Sequence, residues 1–265
     1  MTTHSARLLD RLGYAESPIH RLDPRAKTIA VLVFVVTVVS FPKYAVAPLI
    51  PLALFPLAMI LLGGVPLGLI LKRTVVVSPF AVLVGVFNPL FDTEPLARLG
   101  GLEISGGWIS FGSILLRFFL TVGAALALVA TTSFPRICQG LDAMKVPRAL
   151  IVQMLFLYRY LFVLIEEAMR LRRARELRRF GRRRGLRLRV AAPLIGVLFL
   201  RTYERAERVY LAMCARGFDG HVRLAQRLRV RSRDVVFAVG TLAFCLVLRF
   251  VPLVDWLGRW GERWL

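Results

Sequence analysis

The sequence predicts an all-α, polytopic membrane protein, with about five transmembrane helices and a set of long amphipathic helices on the cytoplasmic side. Three observations carry that prediction. The 265-residue chain is 57% hydrophobic, with a mean hydropathy of +0.64, and much of its apolar content sits in long runs nearly free of charge. Its net charge of +21 is gathered into particular segments rather than spread evenly. The most basic segment shows apolar residues at helical spacing instead of a continuous apolar run.

Residues 1–27 are a polar and basic lead-in, with Ser17-Pro18 through Leu22 reading as an interfacial stretch. Asp23-Pro24-Arg25 reads as a helix start, Asp23 as N-cap and Pro24 at the first helical position. The first apolar run, Thr28 to Phe41, is short for a span, so it extends back to Pro24 or tilts. After Pro42-Lys43 a second run covers Tyr44 to Val65, broken by Gly63-Gly64-Val65-Pro66. Lys72-Arg73 marks a cytoplasmic re-entry into the third, Thr74 to Leu90, which Asn88-Pro89 ends. The polar stretch Phe91 to Ser110, with Gly100-Gly101 and Gly106-Gly107, describes an external loop with room for a short hairpin. A fourth run spans Phe111 to Phe134, interrupted only by Arg117, and the last covers Val235 to Val251 with Arg249 near its end. The polar start and the lack of a small-residue cleavage site argue against a signal peptide.

Charge sets the orientation. Residues 133–233 carry 24 Lys/Arg against 7 Asp/Glu. Phe91 to Ser110 carries Asp92, Glu94 and Glu103 against Arg98 alone. The positive-inside rule puts 1–27 and 133–233 in the cytoplasm and 91–110 outside, and Arg7, Arg11, Arg21, Arg25 and Lys27 support it independently. The organisation is then a lead-in (1–27), four spans (28–132), a cytoplasmic helical region (133–233), and a last span with its tail (234–265).

The cytoplasmic region has its own grammar. Ser133-Phe134-Pro135 caps a short helix to about Met144. Pro147 opens a long one whose apolar positions are Ile151, Leu155, Tyr158, Phe162, Ile165 and Met169, one stripe on a helix. Glu166 with Arg170, and Arg172 with Glu176, form i,i+4 pairs worth about 0.2–0.5 kcal/mol each. After the breaker Gly181 and an arginine run to Arg189, Pro193 starts a second long helix. Its stripe is Phe199, Tyr203, Ala206, Tyr210 and Met213, and Gly217 closes it as a left-handed C-cap. Leu150 to Ile165 and Ala191 to Leu200 are apolar enough to resemble spans. Arg159, Glu166 and Glu167 argue against the first, and the second is short, so both are read as lying under the membrane.

Each long helix ends in an Ala-Arg pair: Ala174-Arg175-Glu176 and Ala215-Arg216-Gly217. An arginine fork on such a slim tip can make bidentate bonds to a partner's carboxylates. On spacing alone, Arg175 and Arg216 can equally be solvated cations among many. The basic block also suits anionic lipid, especially Arg182 to Arg189. A pI near 11.5 invites a nucleic-acid reading, but no nucleic-acid motif accompanies it. Cys138, Cys214 and Cys245 form no CxxC pair, and His4, His20 and His221 are scattered, so no cofactor or metal site is expected. Asp23 and Asp142 are isolated along the chain and Glu166-Glu167 belongs to a helix face, which leaves no carboxylate cluster for a membrane enzyme. A stand-alone secondary transporter would want ionisable residues in mid-span, where only Arg117 and the edge Arg249 occur.

Several segments together resemble one family. These are Ser17-Pro18-Ile19-His20-Arg21-Leu22-Asp23-Pro24-Arg25-Ala26-Lys27, Thr131-Thr132-Ser133-Phe134-Pro135, Val146-Pro147-Arg148, Tyr158-Arg159-Tyr160-Leu161-Phe162, and Ala212-Met213-Cys214-Ala215-Arg216-Gly217-Phe218. They are similar to the transmembrane (T) component of energy-coupling factor transporters, most of all its cobalt/nickel branch of the CbiQ/NikQ type. The resemblance implies a non-catalytic, multi-pass subunit of the bacterial inner membrane with a cytoplasmic N-terminus and no cofactor. It implies as partners two ABC-type ATPase subunits and a small substrate-capture (S) membrane subunit, beside membrane lipid. It further implies that the two long helices are coupling helices, whose Ala-Arg motifs dock on the ATPases. Glu176 in the third place of the first motif departs from the pattern and loosens its register.

Overall fold

The computed structural model describes residues 17–91, 95–99, 102–178, 188–220 and 231–250. Several sequence expectations fall outside them: the lead-in residues Arg7 and Arg11, the external acids Asp92 and Glu94, Gly100-Gly101, Gly181 with the arginine run from Arg182, and His4 and His221. In chain order the helices are α1 (Pro24–Val39), α2 (Leu54–Leu62), α3 (Leu67–Phe91), α4 (Gly106–Thr131), α5 (Phe134–Ala143), α6 (Arg148–Leu177), α7 (Leu188–Ala215) and α8 (Ser232–Phe250). Two 3₁₀ turns, Ala47–Leu49 and Pro51–Ala53, precede α2. Between α3 and α4 lies one antiparallel hairpin, β1 (Pro95–Leu99) with β2 (Leu102–Ser105), Arg98 in register with Glu103. The protein is an all-α membrane protein with that single small hairpin among its described residues. It divides into two compact units, residues 1–140 with 228–265, and residues 141–227.

Three described helices are long and apolar enough to cross a membrane: Leu67–Pro89, Gly106–Thr131 and Arg148–Leu177. The first two are expected spans. The third is α6, which the sequence reading placed beneath the bilayer. Its first half is apolar on more than one face, with Leu150, Leu157 and Leu161 exposed beside the stripe, so by length and composition it qualifies. The other expected spans are shorter or more charged. Helix α1 has 16 residues, about 24 Å of helix. Pro48 and Pro51 fall in the two 3₁₀ turns that leave only nine residues of α-helix in the second run, and α8 holds Arg233, Asp234 and Arg249 within its 19 residues.

In the first unit α4 is central, packing on α1, α2 and α3, while α8 packs on α1. Ala124, Ala127 and Ala130 are wholly covered on α4, a row of small side chains that lets neighbouring backbones approach closely. Phe34 of α1 stacks on Phe55 of α2 with ring centroids 4.6 Å apart, and Val38, Leu49 and Leu52 complete the centre. Gly63 follows α2 where a Cβ would lie 2.6 Å from the Met59 carbonyl and 2.8 Å from Thr131 Cγ2, so only glycine fits there. Overpacking this seam should be costly. Ala127→Leu is expected to destabilise by about 1–3 kcal/mol, read as a lower temperature for loss of monodisperse protein in detergent.

Three helices differ from expectation at their ends, and one of them, α4, begins at Gly106, so Gly106-Gly107 open a helix instead of belonging to the loop. Helix α3 begins at Leu67 rather than Thr74, with Lys72-Arg73 inside it, and runs past Pro89 to Phe91. At Pro79, inside that helix, the missing N–H frees the Val75 carbonyl, and the Ser78 hydroxyl donates to it at 2.8 Å. Helix α7 begins at Leu188, so Pro193 lies within its second turn instead of opening it. Pro193 is the sixth residue, past the orphan N–H groups of the first turn, so the helix forgoes the one bond that an N–H there would give the Arg189 carbonyl, and the proline does not mark the start.

Candidate partner-docking surface

The second unit is built on α6 and α7, of 30 and 28 residues, about 45 and 42 Å long. The two pack on each other, and Arg201 Nη1 of α7 donates to Glu167 Oε1 of α6 at 2.6 Å. Arg175 lies eight residues beyond Glu167, about 12 Å of helix, and Arg216 lies fifteen beyond Arg201, about 22 Å. Each Ala-Arg pair thus stands well past the tie that joins the helices.

The ends of the two helices are made differently. On α6, Arg172 Nε donates to Glu176 Oε1 at 2.9 Å, so the acid of the first motif is held by its own helix. Both partners are largely exposed, and the pair is worth about 0.3–0.5 kcal/mol. Ala174 is exposed and Arg175 half-buried. On α7, Arg216 occupies the C-cap. Gly217 N–H donates to the Cys214 carbonyl and Phe218 N–H to the Met213 carbonyl, both at 3.0 Å, while Gly217 takes φ 75°. This is a Schellman closure, whose left-handed residue strongly favours glycine. It stops the helix at Ala215 and leaves the Arg216 side chain exposed, with no ion pair to another described residue.

The stripes fare unequally within the chain. On α6, Ile151 is buried, and Leu155, Tyr158, Phe162, Ile165 and Met169 are half-buried. On α7, Phe199, Tyr203, Ala206 and Tyr210 are exposed, and Met213 is half-covered. The covered face of α7 runs instead through Leu194, Leu198 and Val209. Alternation by three and four marks a helix face, but it cannot tell a face packed inside the chain from one left for a neighbour.

Sequence reading missed a buried polar joint in the first unit. The Asp23 N–H donates to Asp234 Oδ1 at 2.8 Å, across 211 residues, and the Arg231 N–H donates to Asp234 Oδ2 at 2.7 Å. The Asp23 carboxylate caps α1 by accepting the Arg25 N–H at 2.9 Å. Lys27, with no exposed surface, donates Nζ to the Thr131 carbonyl of α4 at 3.0 Å and lies in the field of both aspartates. Arg136 of α5 donates to the His20 carbonyl at 3.3 Å. Asp23 therefore stands in a network that ties the starts of α1 and α8 to the end of α4, and is not isolated. A visible hint was available: an acid in the first turn of α8 and a lysine in the first turn of α1, each at the edge of an apolar run.

The cysteines separate by exposure. Cys214 is exposed beside the α7 tip, whereas Cys138 and Cys245 are buried. Burial pushes the Cys138 thiol up, so less of it is the reactive thiolate near neutral pH. A membrane-impermeant maleimide at pH 7.5 is expected to modify Cys214 alone, and in inverted vesicles rather than intact cells. Modification from outside intact cells would reverse the orientation. Among the described residues no group of three or more His, Cys, Asp or Glu side chains could hold a metal ion.

A bundle of apolar helices, latched by a polar joint and continued by a long pair with arginine tips, defines an all-α integral membrane protein. The chain belongs to the cobalt transport protein family, whose model, CbiQ, matches residues 15–228 and so takes in both tips. Among its relatives, the energy-coupling factor transporter transmembrane protein EcfT of Streptococcus thermophilus is 28% identical over 268 residues, covering 92% of this chain and 98% of that one. The EcfT of Bacillus subtilis is 28% identical over 218 residues, covering 77% and 82%. The cobalt transport protein CbiQ of Salmonella typhimurium is 30% identical over 157 residues, covering 55% and 70%.

Proposed function

We propose that this chain is the transmembrane coupling (T) subunit of an energy-coupling-factor-type ABC importer for cobalt or nickel. Two ATPases dock on Ala174-Arg175-Glu176 and Ala215-Arg216-Gly217 from the cytoplasm, and a small substrate-capture membrane subunit meets the apolar faces of α6 and α7. The observation that carries this is the family match over 15–228 combined with the tips themselves. One protrudes on a closed helix end, and each stands beyond the salt-bridged tie between the helices. The exposed Phe199, Tyr203 and Tyr210 on α7, and Leu157 and Leu161 on α6, supply apolar area left uncovered among the described residues.

In this reading ATP closes the two ATPases, their grooves carry the arginine tips with them, and α6 and α7 shift against each other. The apolar faces then push the capture subunit to reorient and release its ion inside. Such coupling requires the helices to bind the open and closed states with different affinity. The part of this chain is force transmission, with the ion held by the capture subunit. Helix α6 lies along the cytoplasmic face, its basic second half beyond the lipid and its first half against the membrane surface or the capture subunit. Reconstitution tests this: radioactive cobalt or nickel should enter proteoliposomes only when both ATPases, the capture subunit, this chain and ATP are present. Ion uptake by this chain alone would make it a secondary transporter.

A further inference from the structure

The first unit carries a groove of about 760 Å³ between residues 17–22, the end of α2 at Leu62, and the opening turns of α8. Its wall is apolar at Ile19, Leu62, Val236 and Phe237. Leu62 and Val236 are 59% and 70% exposed, apolar surface of the kind a lipid chain covers. Arg21, Arg231 and Arg233 also line the groove and are all exposed. Asp234, the acid among the lining residues, is buried and turned inward, its two oxygens taken by the Asp23 and Arg231 amides. The groove thus sets three arginines beside an apolar trough.

That pairing selects an amphiphile. A small anion in water would gain from the guanidinium groups but nothing from the trough, and a neutral apolar chain would leave the arginines unused. The groove lies at the starts of α1 and α8, the ends that the charge distribution puts at the cytoplasmic surface, where anionic lipid headgroups and basic side chains meet. We propose that it holds one anionic phospholipid of the cytoplasmic leaflet, its phosphate among Arg21, Arg231 and Arg233 and an acyl chain between Leu62 and Val236. The site rests on the orientation given above but needs neither ATPase nor capture subunit.

Native mass spectrometry of the delipidated full-length protein, titrated with phosphatidylglycerol or phosphatidylcholine, tests it. One phosphatidylglycerol should bind at about tenfold lower concentration than phosphatidylcholine. Replacing the three arginines together by glutamine should weaken it about a hundredfold, at roughly fivefold per charge. Because those side chains are exposed and Asp234 is untouched, the variant should keep its size-exclusion profile. Should it not, Val236→Trp fills the trough without removing charge and should weaken binding on its own. In cell membranes, a benzoylphenylalanine at Val236 should cross-link to phospholipid. Equal affinity for the two lipids, unchanged binding in both variants, or adducts with polypeptide in place of lipid would each overturn the proposal. Failure here with intact ATPase-driven uptake would leave the coupling role standing, and outside labelling of Cys214 would reveal instead a wrong orientation.

Discussion

Reversing both tip charges, Arg175→Glu with Arg216→Glu, is expected to abolish capture of the ATPases and leave the membrane unit folded. Breaking a desolvated arginine–carboxylate pair costs about 2–5 kcal/mol, largely because the partner charge is left buried and unpaired. At 1.4 kcal/mol per tenfold, even the low end for each tip lowers affinity by about a thousandfold when both are lost. Reversal adds repulsion against the same acids. Arg216→Glu is the cleaner single variant, since Arg216 makes no ion pair with another described residue and its helix is closed by backbone bonds to Cys214 and Met213. On α6, Arg175→Glu adds an acid beside Glu176, which Arg172 already holds. Affinity-tagged chain co-expressed with the ATPases gives the readout. Loss of the ATPases with an unchanged size-exclusion profile is the expected outcome, partly rescued by Glu→Lys changes in the ATPase groove. Retention by the double variant would mean that the tips are ordinary solvated cations.

The second large effect lies in the joint at the other unit. Asp234→Ala removes the acceptor for two backbone amides, those of Asp23 and Arg231, and one of two acids facing the covered Lys27. Each stranded amide costs about 1–3 kcal/mol. With the lysine left undercompensated, a loss of about 3–5 kcal/mol follows, in line with breaking other buried charged contacts. Such a loss should show as protein that extracts poorly and melts early in detergent. Asp234→Asn keeps an acceptor oxygen and should fall between that variant and the wild type. Three coincident melting curves would mean that the joint is ornamental.

Local chemistry was legible in the sequence, and long-range chemistry was not. The Asp23-Pro24 start of α1, the start of α6 behind Pro147 and the glycine closure at Gly217 each depend on residues within one turn, and each falls where the pattern puts it. The joint of Asp23, Lys27 and Asp234 depends on α8 returning beside α1, and nothing in either segment says which helices become neighbours. The same limit explains α7, whose exposed stripe is as periodic as the covered one on α6. Proline misled twice, at Pro89 and Pro193: each sits inside a helix that forgoes the one bond its missing N–H would make, and so marks no boundary. Helix α6 shows a third kind of ambiguity. Thirty residues with an apolar first half satisfy the length and composition of a span while carrying a charged tie to a second helix.

The central claim concerns what surrounds the α7 tip in the assembled transporter. A benzoylphenylalanine placed at Ala215, beside Arg216 and outside the closing hydrogen bonds, can be irradiated in membranes that contain the whole complex, with and without a non-hydrolysable ATP analogue. The account predicts an adduct with the ATPase whose yield or cross-linked position changes when nucleotide binds. Adducts with lipid alone, or none in membranes where the complex is intact, would contradict it.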